Sequence, residues 1–202
     1  MTQPGLFERE AVVVEQPRRS WWRRHTGPDL TVSSLDGIPL ALVTHIDDTL
    51  SVLTEVSGEY VVRIDRRSRS GPFEQFAPTR FHFVDAAGRE VGTAGARGLV
   101  KTRQLSLRTE RGRRLFLTRL GNLGLEWHLT EPDPETDPET DEGPAAGILG
   151  RVTVSTVDRW FGLQRYVVET DPALDVSERR TVVASVVCLH LLRRPPGGNG
   201  PA

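Results

Sequence analysis

The chain has a single cysteine, Cys188, among its 202 residues. An intrachain disulfide is therefore excluded, and stability must come from a packed core, which a chain of this length can bury unaided. A lone cysteine fits a reducing cytoplasm. No apolar run reaches the roughly 18–20 residues that a membrane-spanning helix needs. Residues 1–30 lack the apolar stretch of a secretory leader and are punctuated by Pro4, Gly5, Pro17, Gly27 and Pro28. Lysine is nearly absent too. Lys101 is the only one, and every other cationic side chain besides histidine is arginine. That bias suits a GC-rich genome, points to a bacterial source on that ground alone, and carries no mechanism by itself.

Catalytic signatures are missing as well. The histidines His25, His45, His82, His128 and His190 show no metal-ligand spacing. No nucleophile-elbow pattern occurs, and the glycine-rich stretch 92–98 matches no phosphate loop. The expectation is a protein that is not an enzyme and needs neither metal nor cofactor.

What is present begins with charge. The formal net charge of −1 conceals an asymmetry. Residues 131–143 hold Glu131, Asp133, Glu135, Asp137, Glu139, Asp141 and Glu142, and no basic residue. Set apart, these seven leave 26 basic against 20 acidic residues, a net charge of +6. The rest of the chain is mildly basic, and one acidic stretch masks it. The repeat DPETDPETDEGP within it is too polar and proline-rich to form a core. It reads as a disordered insertion over 131–144.

From Leu30 onward, short strands alternate with turns. Strands are expected at 30–33, 39–44, 50–56, 60–65, 80–85, 91–94, 99–109, 114–120, 125–130, 151–157 and 164–170, with another option at 11–15. Phe81 and Phe83 alternate with Arg80 and His82; Trp127 and Leu129 alternate with Glu126 and His128. Period-two alternation marks strands with one buried face. Arg111-Gly112 and Asp85–Gly88 supply hairpin turns. Regular short strands with such turns suggest a sandwich or a barrel. Two segments also look alike: Phe81-His82-Phe83 leading to Ala86-Ala87-Gly88, and Trp127-His128-Leu129 leading to Ala145-Ala146-Gly147. They suggest an internal duplication in which the acidic stretch is inserted into a turn, where insertions are tolerated.

The periodicity changes near the C-terminus. Asp175 followed three residues later by Glu178 is a capping-box pattern. Residues 181–192, TVVASVVCLHLL, are apolar on every side, unlike an amphipathic surface helix. At about 1.5 Å per residue they span roughly 18 Å, short of the roughly 30 Å hydrocarbon core. A buried helix is expected. Arg179 and Arg180 sit in its first turn, where the dipole disfavours cations, so other groups should hold them.

The segment Val157-Asp158-Arg159-Trp160-Phe161-Gly162-Leu163-Gln164, then Tyr166-Val167-Val168, Asp171–Asp175, Arg179-Arg180 and the apolar helix resembles the C-terminus of the phospholipid scramblase and LURP-one-related group of the tubby C-terminal-like superfamily. That resemblance implies a closed barrel of about twelve antiparallel strands, built from two similar halves around a buried C-terminal helix. Scramblases carry paired acidic residues of a calcium loop just before the Phe-Gly pair. Here the matching positions are Val157 and Arg159 around Asp158 alone, too few oxygen ligands for calcium. The implied function is a lipid-headgroup or membrane-surface module without calcium dependence.

The expected organisation is a partly ordered basic-aromatic leader over 1–28, one mainly β barrel domain over 29–194, and a disordered tail over 195–202. Arg18, Arg19, Trp21, Trp22, Arg23 and Arg24 form a patch suited to an anionic membrane surface. Arg66, Arg67 and Arg69 on one turn, and Arg111, Arg113 and Arg114 on another, are lipid-headgroup candidates by the resemblance. The alternative is a soluble protein-interaction scaffold that uses the acidic stretch. Nucleic acid is disfavoured, because that stretch repels phosphate and the aromatic-basic patch is confined to the leader. The expected location is cytoplasmic, with peripheral contact at the inner membrane face.

Overall fold

The structure, a computed structural model, describes residues 4–17, 29–67, 79–97, 103–121, 125–132, 146–158 and 163–193. Among them are twelve strands and one long helix. The strands are β1 (Ala11–Glu15), β2 (Leu30–Ser33), β3 (Pro39–His45), β4 (Leu50–Glu55), β5 (Tyr60–Arg67), β6 (Arg80–Val84), β7 (Glu90–Arg97), β8 (Gln104–Thr109), β9 (Arg114–Leu120), β10 (Glu126–Glu131), β11 (Ala146–Asp158) and β12 (Leu163–Thr170). Each pairs antiparallel with its neighbours in sequence, and β1 pairs with β12. The result is a closed barrel. Val13 stands opposite both Val167 and Ser33, so β1 is hydrogen-bonded on both sides.

Alternation decides the lining. Val62 and Ile64 on β5, Phe81 and Phe83 on β6, Leu105 and Leu107 on β8, Leu115 and Leu117 on β9, and Trp127 and Leu129 on β10 are all buried in one core. The residues between them, such as Arg63, Arg80 and Arg108, face out and are exposed. Closure leaves none of the twelve described strands with an unpaired edge, which removes the usual route to edge-to-edge aggregation for them.

Helix α1 (Val176–Arg193) fills the barrel. Ten consecutive residues, Thr181 through His190, are buried. At 100° per residue they cover the helix circumference more than twice, so barrel wall surrounds it. Its polar side chains turn back onto backbone: Ser185 Oγ donates to the Thr181 carbonyl at 2.6 Å, and Thr181 Oγ1 reaches the carbonyls of Val91 and Ser177. The helix passes close to β7, where residues are small. A methyl added at Gly92 would lie 2.8 Å from Thr181 Oγ1 and 3.0 Å from the Arg108 carbonyl. Glycine there lets helix and wall touch.

The antiparallel order gives the barrel two distinct rims. Odd-numbered strands run toward the upper rim and even-numbered strands return from it. The turns 34–38, 56–59, 85–89 and 110–113 lie at the lower rim, where α1 begins; α1 ends at the upper rim. Gly112 has a φ of +84°, which the tight 110–113 turn requires.

Several expectations need correction. The barrel starts at β1, inside the segment read as a leader, so its boundary at residue 29 leaves out one strand. β11 is longer than expected and begins at Ala146. Glu131, assigned to the insertion, is the last residue of β10 and pairs with Ala146. Residues 133–145 and 195–202 lie outside the described residues, as do 98–102, the start of the strand expected at 99–109. The two look-alike hairpins are β6–β7 and β10–β11, four strands apart. Two similar halves of a twelve-strand barrel would be offset by six, so this likeness is not the half-barrel repeat.

Candidate functional site at the two rims

The lower rim is built around the first turn of α1. Asp175 and Glu178 close a reciprocal capping box. The Glu178 amide donates to Asp175 Oδ1 at 2.9 Å, and the Asp175 amide donates to Glu178 Oε2 at 3.0 Å. Those carboxylates then meet the β8–β9 turn. Arg113 Nη1 donates to both oxygens of Glu178, at 3.0 and 3.1 Å. Its Nε and Nη2 donate to the two oxygens of Glu131, at 3.0 and 2.8 Å. Arg111 pairs with Asp175 at 2.7 Å, and Glu110 pairs with Arg180 at 2.6 Å. Every charged residue of the Glu110–Arg113 turn thus meets an opposite charge in the stretch Asp175–Arg180. Arg179 donates instead to the backbone carbonyls of Glu8 and Pro172. Other groups do hold both first-turn arginines.

The electrostatics follow from this geometry. The hydrogen bond from Arg113 holds the Glu131 carboxyl below its ordinary range, against partial burial. Glu131 and Glu178 together raise the Arg113 guanidinium above its ordinary value. Burial pushes the Asp175 carboxyl up, but the Glu178 amide, the Ser177 hydroxyl and the Arg111 charge outweigh it and hold the group low.

The structure therefore splits the headgroup candidates. Arg111, Arg113 and Arg114 lie at the lower rim, and the guanidinium of Arg113 is fully occupied by two carboxylates. Arg114 is exposed. Arg66 and Arg67 close β5 at the opposite, upper rim. Arg67 is exposed, whereas Arg66 is partly buried and its Nε has no hydrogen-bond partner. Three nearby acids are engaged elsewhere. Asp65 pairs with Arg63 at 3.0 Å, Asp47 accepts from the Thr49 amide and hydroxyl, and Asp29 accepts from the His45 amide.

Arg69, Arg18, Arg19, Trp21, Trp22, Arg23 and Arg24 lie outside the described residues. Their flanks are described: β1 and β2, and β5 and β6, meet those connections at the upper rim. His82 and His128 occupy outward positions and contact Glu90 at 2.7 Å and Glu126 at 3.2 Å. His190 packs edge-on to Tyr166, ring centroids 6.3 Å apart. Cys188 is wholly buried, and burial pushes its thiol well above its ordinary value, so it is inert. No described helix is long and apolar enough to cross a membrane.

Sequence reasoning missed Glu110, Glu131 and Arg180 as partners of the arginine turn. The signal was the complementary order of signs, Glu-Arg-Gly-Arg against Asp-x-x-Glu-x-Arg. No family model matches the chain, and neither does any curated protein or solved structure.

Proposed function

We propose that the protein is a non-enzymatic module that binds anionic lipid headgroups at a membrane surface through its upper rim, independently of calcium. The observation that supports this best is the contrast between the rims. The cations of the lower turn already have carboxylate partners. Arg66 and Arg67 have none among the described residues and stand where the connection that holds Arg69 leaves β5, at the same rim that the connection holding Arg18–Trp22 joins at β1 and β2. The closed barrel around a C-terminal helix agrees with the fold that the scramblase and LURP-one resemblance implies. Fold likeness alone does not carry function, so the weight rests on the rim. Arginines next to tryptophan in sequence, as in the stretch Arg18–Arg24, suit headgroup phosphates, each worth about 1 kcal/mol near an anionic surface.

Vesicle co-sedimentation tests the reading. At low salt the chain should pellet with vesicles containing phosphatidylserine and not with purely zwitterionic ones, and added salt should release it. Replacing Arg18, Arg19, Arg23 and Arg24 together by glutamine should abolish pelleting. Failure of the unaltered protein to bind anionic vesicles would overturn the proposal. It would favour the protein-interaction scaffold instead.

A further inference from the structure

Arg66 and Arg67 are adjacent in sequence and face opposite sides of the wall. Val62 and Ile64 precede Arg66 on the inward face of β5, and its partner across the ladder is Phe81, which is wholly buried. Arg66 therefore points into the upper mouth of the barrel. Its Nε is shielded from solvent without a hydrogen-bond partner, and no carboxylate among the described residues pairs with its guanidinium. Asp65, next to it, faces the outside and is taken by Arg63. α1 ends at the same upper rim as β5, and the Arg66 charge opposes the effect of burial on the Cys188 thiol near that end of the helix.

A partly buried cation with no counter-charge among the described residues is unfavourable, and proteins normally pair such groups. The C-terminal end of a helix attracts a cation through its dipole. That attraction gives Arg66 a direction but leaves its Nε without an acceptor. A guanidinium presents a planar fork that matches two oxygens of one phosphate. A phosphate monoester, with close to two charges near neutral pH, supplies both the acceptors and the counter-charge.

We propose that Arg66 is the receptor for a single phosphate monoester admitted at the upper mouth of the barrel, between β5 and the end of α1. This deepens the membrane-surface reading and rests on it for the side from which a lipid would approach. The outer arginines sense diffuse surface charge, whereas Arg66 selects one group. The phosphate can belong to a lipid headgroup or to a soluble ester, and the two sources separate experimentally.

The full chain, Arg66→Gln and Arg67→Gln would be titrated calorimetrically with inorganic phosphate and with glycerol 3-phosphate. They would also be sedimented with vesicles containing phosphatidic acid or phosphatidylserine at matched surface charge. The expected result is saturable binding of the soluble phosphates. Arg66→Gln weakens it at least about tenfold and Arg67→Gln changes it less than about twofold. Wild type should also prefer phosphatidic acid vesicles, and Arg66→Gln should lose that preference. Vesicle binding with no saturable phosphate binding and no headgroup preference would overturn the Arg66 assignment while leaving the membrane reading intact. Phosphate binding that needs Arg66, without vesicle binding, would uphold the assignment for a soluble ester and end the membrane reading. If Arg66→Gln does not fold, Arg66→Lys keeps the charge near the helix end without the fork. It should then stay folded and bind phosphate at least about fivefold more weakly; unchanged affinity in that variant would overturn the assignment.

Discussion

The two rims hold arginine clusters of nearly the same composition, and their fates are opposite. At the lower rim, Arg111 and Arg113 are locked to Asp175, Glu178 and Glu131. At the upper rim, Arg66 and Arg67 close their strand without a carboxylate partner among the described residues. The cause is the direction of α1. A helix start leaves its first amide groups without partners and draws acidic side chains to cap them. Those acids then need cations, and the β8–β9 turn supplies them. A helix end draws no carboxylates. Arginine content alone therefore does not tell a clasp from a binding surface; the polarity of the enclosed helix does.

The largest test strikes the element both rims share. Val187 is wholly buried on α1. Val187→Asp places an unpaired charge inside the barrel at a cost of several kcal/mol. No soluble, cooperatively unfolding protein should be recovered, as read by expression and circular dichroism. A folded variant would refute the enclosed helix.

The next test separates the rims. Arg113→Ala leaves Glu178, whose side chain is 8% exposed, without its partner. It should cost about 3 kcal/mol in urea unfolding at pH 7, whereas Arg67→Ala at the exposed upper rim should stay within about 0.5 kcal/mol. The difference should depend on pH. Glu131 has a folded-state pKa below its unfolded one, held there by Arg113, so its contribution is whole above the ordinary carboxylate range near about 4. That contribution disappears as pH falls through the depressed folded value. Wild type and Arg113→Ala should therefore converge in stability as the solution is acidified from pH 5 toward about 2. A constant gap would mean that Arg113 acts by packing.

The smallest effect probes sign-matching in the clasp. Glu110→Arg and Arg180→Glu should each destabilise by about 1 kcal/mol, and the double exchange should recover at least about 0.5 kcal/mol of the sum. Strict additivity would show that the pair at 2.6 Å contributes geometry without coupling.

Much of this fold can be read locally. Alternation around Phe81–Phe83 and Trp127–Leu129 places strands, and Asp175 with Glu178 places the helix start, because the determining residues are neighbours. What resists reading is what closes over distance. Arg113 meets Glu178 across 65 positions and Glu110 meets Arg180 across 70, so their complementarity is invisible until the turn and the helix are brought together. The short run AVVVE gives no sign that it pairs with both β2 and β12. The candidate site was legible only in part. Grouping Arg66 with Arg67 and Arg69 as one surface cluster overlooks strand parity, in which one residue of offset exchanges inside for outside. Val62, Ile64 and Arg66 already carry that parity.

The pairing of β1 with β12 has a consequence for how the chain is made. Synthesis delivers the twelve staves of the cask before its contents. The last stave, β12, seals against the first, and only Asp171–Asp175 separates it from α1. A nascent chain thus holds an apolar lining with nothing to cover until α1 has been made. Such a species is exposed to misassociation, and its closing contacts join the most distant parts of the sequence. Sealing and filling become available almost together, so the barrel acquires its cooperativity only once β12 and α1 have both been made.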